Sequence, residues 1–340
     1  MRIWGIALPA RTPVSFVVDG ERLRASGSST SDGPWLLPGL ADVHSHPGTE
    51  APADEYAHEV FRRHMLAHRA AGVLTVRSPG SADPVRDRPD DLDLPRLARS
   101  GQWLATPGRF FPDAGRRISE SELPEAAVEE AALGWCKVIG DWMPDDPPVP
   151  LDVLTATVDA VHAVGGRVAV HCQTAEGCRN AVLAGADSLE HGMHLDHSLL
   201  PRMAAQGTAL VPTFSAFAKS IENIEASSAD QRLKDWIRDG WEHAFPTVRA
   251  AHEAGVTVLA GTDNKPCGQV AAEISWLVEA GMPVEAAIGA GSWTARAWLG
   301  LPGLVDGGFA DVVAYDADPT EDPDVLLRPK QIVLRGKVVV

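Results

Sequence analysis

Short apolar runs alternate with longer amphipathic stretches from about residue 41 to residue 297. Runs of four or five apolar residues indicate strands that are buried on both faces, and apolar positions three and four apart indicate helices. Eight runs are predicted as strands, at residues 40–44, 73–77, 102–106, 135–139, 167–171, 188–191, 209–212 and 257–260. The alternation predicts an α/β fold in which helices cover a parallel sheet.

Two of the intervening segments show clear helical periodicity. Residues 54–71 place apolar side chains on one face and are followed by Gly72, and residues 151–164 align Leu154 with Val158. Eight β/α units within about 260 residues fit a (β/α)8 TIM barrel. An open, doubly wound sheet is the alternative, and the absence of a GxGxxG motif after the first strand disfavours its dinucleotide-binding version.

The two ends of the chain have a different pattern from the middle. Residues 1–37 and 304–340 contain β-branched runs separated by Gly and Pro turns, which predicts strands from both termini in one small sheet. Residues 108–123 and 141–150 are polar, loop-like segments after the third and fourth strands. In a barrel such loops lie over the active mouth.

Composition narrows the class of protein. The 340 residues carry 30 basic and 46 acidic side chains, a formal charge of −16, which argues against nucleic acid or an anionic membrane as partner. The four cysteines show no CxxC spacing, and the N-terminus lacks the features of a signal peptide. We therefore expect a soluble, cytoplasmic protein with reduced thiols. A homo-oligomer is compatible with the sequence.

A histidine pair follows the first predicted strand. In the stretch LPGLADVHSH, His44 and His46 are two residues apart, so on an extended strand they point to the same face. Two convergent imidazoles suit a borderline metal such as zinc. On its own this motif is weak, since two hydrogen-bonded histidines give the same pattern.

Three further side chains fall at strand ends. His171 ends the fifth predicted strand, His191 ends the sixth, and Asp263 follows the eighth. The carboxyl ends of barrel strands meet at one mouth, where such enzymes place their chemistry. Five candidate ligands that converge in this way favour a metal site over isolated histidines.

Lys137 lies inside an apolar strand, in the stretch GWCKVIG. An ammonium group at such a position loses its hydration and needs a partner. One interpretation is a salt bridge to a nearby acid. The other is a neutral amine carboxylated by CO₂, whose two oxygens could bridge two metals. The chemistry alone leaves both interpretations open.

With these residues in place, the chain resembles the amidohydrolase superfamily over nearly its whole length, most closely the imidazolonepropionase and Xaa-Pro dipeptidase (prolidase) branch. The stretches that carry the resemblance are LLPGLADVHSHPG (36–48), AAGVLTVRSPG (70–80), GWCKVIG (134–140), RVAVHCQTAEGCRNAVLAGADSLEHGMHLD (167–196), ALVPTF (209–214), GVTVLAGTD (255–263) and GLVDGGFADVVAYDADP (303–319).

The resemblance implies a fold and a set of roles. It implies a small β-sandwich domain from residues 1–38 and 303–340 beside a barrel domain at residues 39–302. It also implies one or two divalent ions, with zinc expected, held by six side chains. His44 and His46 are implied as ligands of the more buried ion, Lys137 as a carboxylated bridge, His171 and His191 as ligands of the second ion, and Asp263 as both ligand and general base.

The mechanism expected from these roles is hydrolysis of a C–N bond in an amide, dipeptide or cyclic amide of a small molecule. A metal-activated water attacks the carbonyl carbon, and Asp263 takes its proton and passes it to the leaving nitrogen. A deaminase of the same superfamily is an alternative, although Thr174 stands where deaminases carry a Glu in an HxxE motif. The sequence also leaves open a lactone or ester hydrolase and, as a different class of protein, a non-catalytic metal-binding barrel.

The sequence differs from relatives in the superfamily at two places, and three further residues are candidates for substrate contact. Dipeptidase relatives often carry Gly-Gly-His after the third strand, where this chain has WLATPGRFF at residues 103–111, so their carboxylate pocket is not carried over. Gly48 stands where cyclic-ureide enzymes have an Arg, which disfavours that class. Arg77, Arg109 and His194 lie near the predicted mouth and are candidates for substrate contact, with a structural ion pair as the alternative for Arg77.

Overall fold

The structure is a computed structural model of the chain, and it describes residues 1–27, 32–52, 54–81, 91–111 and 114–340. The strands of the described residues are β1 (Arg2–Ala7), β2 (Thr12–Asp19), β3 (Arg22–Ala25), β4 (Trp35–Pro38), β5 (Leu40–Asp42), β6 (Val73–Arg77), β7 (Arg96–Ala98), β8 (Ser100–Ala105), β9 (Arg116–Arg117), β10 (Trp135–Ile139), β11 (Arg167–Cys172), β12 (Ser188–His191), β13 (Ala209–Val211), β14 (Val312–Tyr315), β15 (Gln331–Leu334) and β16 (Lys337–Val338).

Helices connect most of the strands in the middle of the chain. The α-helices of the described residues are α1 (His58–Ala70), α2 (Leu123–Glu130), α3 (Leu151–Ala163), α4 (Ala175–Ala184), α5 (Leu200–Gln206), α6 (Phe214–Ala226), α7 (Gln231–Glu253), α8 (Val270–Glu279), α9 (Val284–Ala290) and α10 (Trp293–Trp298). Short 3₁₀ turns cover Glu120–Glu122, Ala131–Leu133, His197–Leu199 and Pro323–Leu327.

Two parallel sheets form the centre of the molecule. One has the strand order β13-β12-β11-β10-β8-β9 and the other has the order β5-β6-β7. Every strand pair within them is parallel, as the β/α alternation predicts. Their strands are buried on both faces: all five residues of β6 and of β10 are buried, and apart from Thr75, Arg77 and Lys137 they are apolar.

The eighth predicted strand does not form. Residues 257–260 make a single bridge, between Val258 and Leu210 of β13. Their backbone groups bond instead to several neighbours: the Thr257 oxygen accepts from Leu210, and the Ala260 oxygen accepts from Val43 beyond β5. The segment thus lies between the ends of the two sheets without completing a ladder. Other predicted strands shift by one or two residues at their ends.

Strands from both termini join one sheet, as the sequence predicts. Its order is β16-β15-β14-β4-β1-β2-β3, with β14 from the C-terminal segment antiparallel to β4 from the N-terminal segment. Alternate residues of this sheet form a small apolar cluster that includes Ile3, Phe16, Leu36 and Val312. The chain ends are therefore tied together next to the start of β5.

The space between the two parallel sheets is filled by apolar side chains. A cluster of small and branched residues, including Ala41, Val43, Val211 and Leu259, fills the space between β5, β13 and the 257–260 segment. Helices then cover the outer faces through residues such as Leu154 of α3. In the described part of the chain, no helix is both long enough and apolar enough to cross a lipid bilayer.

Candidate active site

A cavity of about 360 Å³ opens at the carboxyl ends of the parallel strands. Its position follows from the topology, because parallel strands bring their carboxyl ends to one side of the sheet. All six side chains that the sequence marks as ligand candidates line it: His44, His46, Lys137, His171, His191 and Asp263.

Three of the six are close enough to share one ion. The donor atoms of His44, His46 and Asp263 all lie within 4.8 Å of one another. The two histidine Nε2 atoms are 3.2 Å apart, and Asp263 places its carboxylate oxygens 3.7 Å from His44 Nε2 and 3.4 Å from His46 Nε2. His46 is fixed from the other side, where its Nδ1 donates to the Gly80 carbonyl at 2.8 Å.

His171 and His191 form the opposite side of this group. Their ring centroids are 4.5 Å apart, and the His191 ring is 5.3 Å from that of His44. His191 Nδ1 lies 2.7 Å from the Thr213 hydroxyl, which orients its ring. His171 Nε2 is buried and has no hydrogen-bond partner among the described residues.

Lys137 projects from β10 into the same space. Its Nζ atom is buried and makes no hydrogen bond to any described residue. Burial, with a further contribution from the Arg77 charge, lowers the pKa of Lys137 to about 8, although Glu190 and Asp263 oppose the shift. The structure therefore brings Lys137 near two acids without a direct salt bridge, and its amine is more easily neutralised than that of an exposed lysine.

The histidines are held as neutral imidazoles. Burial and the nearby cationic groups lower the pKa of His44, His171 and His191 well below the ordinary value, and burial lowers the pKa of His46 to about 3. Neutral imidazole nitrogens are metal ligands, whereas imidazolium is not. The donor set and the unpartnered His171 Nε2 and Lys137 Nζ therefore fit a divalent metal.

Glu190 is a site residue that the sequence reasoning missed. It is fully buried, accepts from His44 Nδ1 at 2.6 Å and forms an ion pair with Arg77 at 2.8 Å. Although burial opposes ionisation, Arg77, Lys137 and His44 hold the pKa of Glu190 well below its usual range. The pair leaves His44 Nε2 free to face the cavity. The available signal was an acid within the strand predicted at residues 188–191, by the same logic that singled out Lys137.

Three buried carboxylates hold the loops that carry the site. Asp42 accepts from the Thr262 backbone and hydroxyl, and Asp141 accepts from the backbone of Gln173 and Thr174. Glu273 of α8 accepts from the backbone of Phe214 and from the backbone and hydroxyl of Ser215, at the start of α6. These contacts fix the segments that follow β11 and β13 and the one that carries Asp263. Nothing in their sequence spacing identified them.

Backbone strain is concentrated around the cavity. Four non-glycine residues here have φ in the left-handed region: Phe110 at 66°, His191 at 69°, Thr213 at 52° and Asp263 at 43°. Such conformations cost about 1–3 kcal/mol each and persist where the surroundings hold them. At Asp263 the backbone N–H donates to the His44 carbonyl at 2.7 Å, which ties the acid to the first histidine.

Aromatic rings form one wall of the cavity. Phe110 contacts Trp103 at 5.2 Å and Trp142 at 5.0 Å between ring centroids, and Phe111 contacts Trp142 at 4.9 Å. The Trp142 ring is 5.5 Å from that of His171, so the wall reaches the histidines. A wall of this kind excludes water and accepts a bulky apolar group.

The three residues predicted to contact substrate do not line this cavity. Arg77 is fully buried beneath His44, where it pairs with Glu190 and stacks on Trp135, so it forms the structural ion pair that the sequence also allowed. The Arg109 guanidinium donates to the Thr106 hydroxyl at 2.9 Å and lines a separate cavity. His194 packs its ring 5.0 Å from that of Trp236 on α7.

Comparisons with known proteins agree with this arrangement. Residues 35–339 match the model of the Amidohydrolase family. The chain is 36% identical over 352 residues to the "Uncharacterized protein Rv2915c" of Mycobacterium tuberculosis, covering 99% of this chain and 95% of that one. It is 33% identical over 175 residues to the ochratoxinase of Aspergillus niger, covering 48% of this chain and 35% of that protein.

Solved structures show the same fold. A Xaa-Pro dipeptidase with bound methionine superposes with a TM-score of 0.82 at 24% identity, covering 99% of this chain and 98% of that chain. The Aspergillus niger ochratoxinase superposes with a TM-score of 0.81 at 22% identity, covering 99% and 94%. The family match spans nearly the whole sequence and includes every cavity histidine, and this chain belongs to the amidohydrolase family.

Proposed function

We propose that this chain is a metal-dependent hydrolase of the prolidase-like branch of its family, which cleaves a C–N amide bond in a small molecule. The observation that carries the proposal is the convergence of six ligand-type side chains, from positions 44 to 263, on one cavity. Family membership supports hydrolysis, and the similarity to a Xaa-Pro dipeptidase and an ochratoxinase supports an amide as the bond.

The cofactor proposed is one or two divalent ions, with Zn²⁺ the best match to imidazole and carboxylate donors. His44, His46 and Asp263 would hold one ion, and His171 and His191 a second. Such an ion supplies Lewis acidity, which makes water a stronger acid and a carbonyl carbon more electrophilic. Carboxylation of the Lys137 amine by CO₂, with loss of a proton, would add two oxygens to the donor set, and the unpartnered Nζ supports it.

Asp263 is the proposed proton carrier. Burial raises the pKa of its carboxyl to about 7 in the metal-free chain, and a group that transfers protons works best when its pKa lies near the working pH. Its carboxylate accepts a proton from the attacking water and donates it to the leaving nitrogen. The products are an amine and a carboxylic acid, which then loses its proton to water. The aromatic wall keeps bulk water out during this transfer.

The proposal includes a closed barrel and a small separate domain. We expect the two parallel sheets and the 257–260 segment to close as an eight-membered barrel over residues 39–302, beside a small domain from residues 1–38 and 303–340. The hydrogen bonds from Leu210 to Thr257 and from Val43 to Ala260 support closure.

Deamination is disfavoured by the surroundings of the cavity. The acid nearest to the position that deaminases use is Glu176, and it is exposed on α4 and does not line the cavity. Thr174, at that position, instead caps α4 by accepting from Gly177.

The test combines metal analysis with a hydrolysis assay. The purified chain should contain near-stoichiometric zinc or a similar metal, lose activity toward N-acyl amino acids and dipeptides on chelation, and regain it with added Zn²⁺ or Mn²⁺. Asp263→Asn should keep the wild-type circular dichroism spectrum and lose turnover by about 10²–10⁴-fold.

The matched control is Asp235→Asn, which removes an exposed acid of α7 outside the cavity. This variant should keep wild-type turnover. A chain that binds no divalent metal and hydrolyses no amide would contradict the proposed function, and an Asp263→Asn variant as active as wild type would contradict the role of Asp263.

A further inference from the structure

Two segments that are far apart in the chain supply the ligands proposed for the first ion. His44 and His46 come after β5, and Asp263 lies between α7 and α8. The backbone N–H of Asp263 donates to the His44 carbonyl at 2.7 Å, and Asp42 accepts from the backbone of His44 at 3.1 Å and of Thr262 at 3.0 Å. These bonds fix the two segments relative to each other at His44.

At His46 the contact between the segments is made by a lysine side chain. Lys265, two residues after Asp263, donates from Nζ to the His46 carbonyl at 2.8 Å. The backbone N–H of Lys265 is engaged elsewhere, since it donates to Asn264 Oδ1 at 2.8 Å. The side chain of Lys265 therefore joins the segment that carries one ligand to the segment that carries another.

The ammonium group of Lys265 is fully occupied by protein atoms. Besides the His46 carbonyl it contacts His64 Nδ1 at 3.2 Å and Cys267 Sγ at 3.5 Å. An ammonium has three N–H donors, and each of these three partners can accept one. Lys265 lines the cavity, but its donors are directed at the protein, so its contribution is to the shape of the site.

Helix α1 supports the same stretch of chain through two histidines. His64 is buried, and its Nδ1 also accepts from the Gly48 N–H at 3.3 Å. One turn later, His68 Nε2 lies 3.1 Å from the Ser45 hydroxyl. Positions four apart share one face of a helix, so this face of α1 holds the chain on both sides of His46. The partners of Lys265 are therefore themselves fixed.

We propose that Lys265 is a positioning residue that holds His46 and Asp263 at the separation that one ion requires. The inference rests on the proposed function, because it takes the ion from there. Without the ammonium, the His46 ring keeps its bond to the Gly80 carbonyl, but its backbone is free to move away from the Asp263 segment. Lys265 acts through His46 and contacts neither the ion nor the substrate.

The experiment measures the ion site directly. Lys265→Met should lower the Zn²⁺ affinity, measured by competition with a chromophoric chelator, by about 10–100-fold, as loss of a group that orients a ligand does. The same variant loaded with Co²⁺ should have a visible absorption spectrum displaced from that of the wild type, because the spectrum reports the arrangement of the ligands. Lys265→Arg keeps a cationic donor and should stay much closer to the wild type in both measurements.

The matched control is Lys234→Met. Lys234 of α7 also donates from Nζ to backbone carbonyls, those of Glu225 and Ser227, but it does not line the cavity. This variant should keep the wild-type Zn²⁺ affinity and Co²⁺ spectrum. The comparison separates a change at the ion site from a general loss of lysine-to-backbone bonds.

Three results would overturn the role of Lys265. One is a Lys265→Met variant that keeps the wild-type Zn²⁺ affinity or Co²⁺ spectrum, and another is a Lys265→Arg variant that loses as much affinity as Lys265→Met. The third is a Lys265→Met variant that does not fold by circular dichroism, since the lysine would then be required by the fold itself.

Amide hydrolysis by the wild type is measured separately from metal binding. A wild type that hydrolyses amides, with an unchanged ion site in Lys265→Met, refutes the role of Lys265 alone. A chain that binds Zn²⁺ but hydrolyses no amide refutes the proposed reaction, and the result for Lys265 then stands by itself. A wild type that binds no divalent metal refutes both proposals.

Discussion

The ion pair between Glu190 and Arg77 determines how the first histidine is presented. Glu190 accepts from His44 Nδ1 at 2.6 Å, from Arg77 at 2.8 Å and from the Ser188 hydroxyl at 2.5 Å, and both charged side chains are fully buried. A buried pair contributes little net stability against apolar residues, but loss of one partner leaves an uncompensated charge. The pair therefore orients His44, and removing one partner lowers the stability of the fold.

Glu190→Gln should lower the free energy of unfolding by about 3–5 kcal/mol, because Arg77 then stays buried without a counter-charge. Urea unfolding measures this change, and zinc affinity should fall by about 10–100-fold because His44 loses its orienting acceptor. The matched control is Glu129→Gln, which removes half of an exposed pair with Arg116 and should cost less than about 1 kcal/mol. Equal costs for the two substitutions would show that the buried charge is not the cause.

At the scale of elements, α6 depends on a neighbouring helix for its start. Thr213, the residue before α6, has a φ of 52° and makes no side-chain cap to the helix. The free N–H groups of Phe214 and Ser215 donate instead to the Glu273 carboxyl of α8, each at 2.8 Å. Orphan donors at a helix start need such an acceptor when they are buried. Glu273 therefore fixes the start of a helix that lines the cavity.

Glu273 should make stability depend on pH. Burial raises the pKa of its carboxyl to about 8 from an ordinary value of 4.5, so between these values the folded chain binds a proton that the unfolded chain does not. The contribution of this group to stability is greatest below about pH 4.5 and falls as the pH rises toward 8. Unfolding free energies at pH 5 and pH 8 should therefore differ more for the wild type than for Glu273→Gln.

The control for this measurement is Glu279→Gln, an exposed acid near the end of the same helix. It should keep the wild-type dependence on pH. Parallel pH dependence of the wild type and Glu273→Gln would rule out titration of Glu273 as the source.

At the scale of the whole molecule, the sequence predicted the strands, which follow from local pattern. It did not predict contacts between residues that are far apart in the chain. β6, β10 and β12 have the predicted bounds, and β6 and β10 are mostly apolar because both of their faces are buried. Residues 257–260 give a similar run, yet among the described residues they form only a single bridge, between Val258 and Leu210. Arg77 near a predicted mouth gave no sign that Glu190, 113 residues later, would hold it beneath the site.

A buried acid, Asp311, is among the contacts between the terminal sheet and the rest of the chain. Asp311, beside β14, accepts from Arg96 of β7 at 2.6 Å and lies 3.7 Å from Arg296 of α10. It also accepts from the Arg335 backbone, within the terminal sheet, at 2.9 Å. Asp311 thus joins residues from both parts of the molecule in a buried network.

Asp311→Ala should therefore destabilise the whole chain and not the terminal sheet alone. Removing the acid leaves the buried Arg296 guanidinium without its counter-charge, at a cost of about 3–5 kcal/mol. Asp316→Ala, which breaks an exposed pair with Lys330, should cost less than about 1 kcal/mol. Urea unfolding followed by tryptophan fluorescence and by circular dichroism should give one coincident transition for both variants, displaced to lower urea for Asp311→Ala. Two separate transitions in Asp311→Ala would contradict this expectation, because they would mean that the terminal sheet unfolds independently once Asp311 is removed.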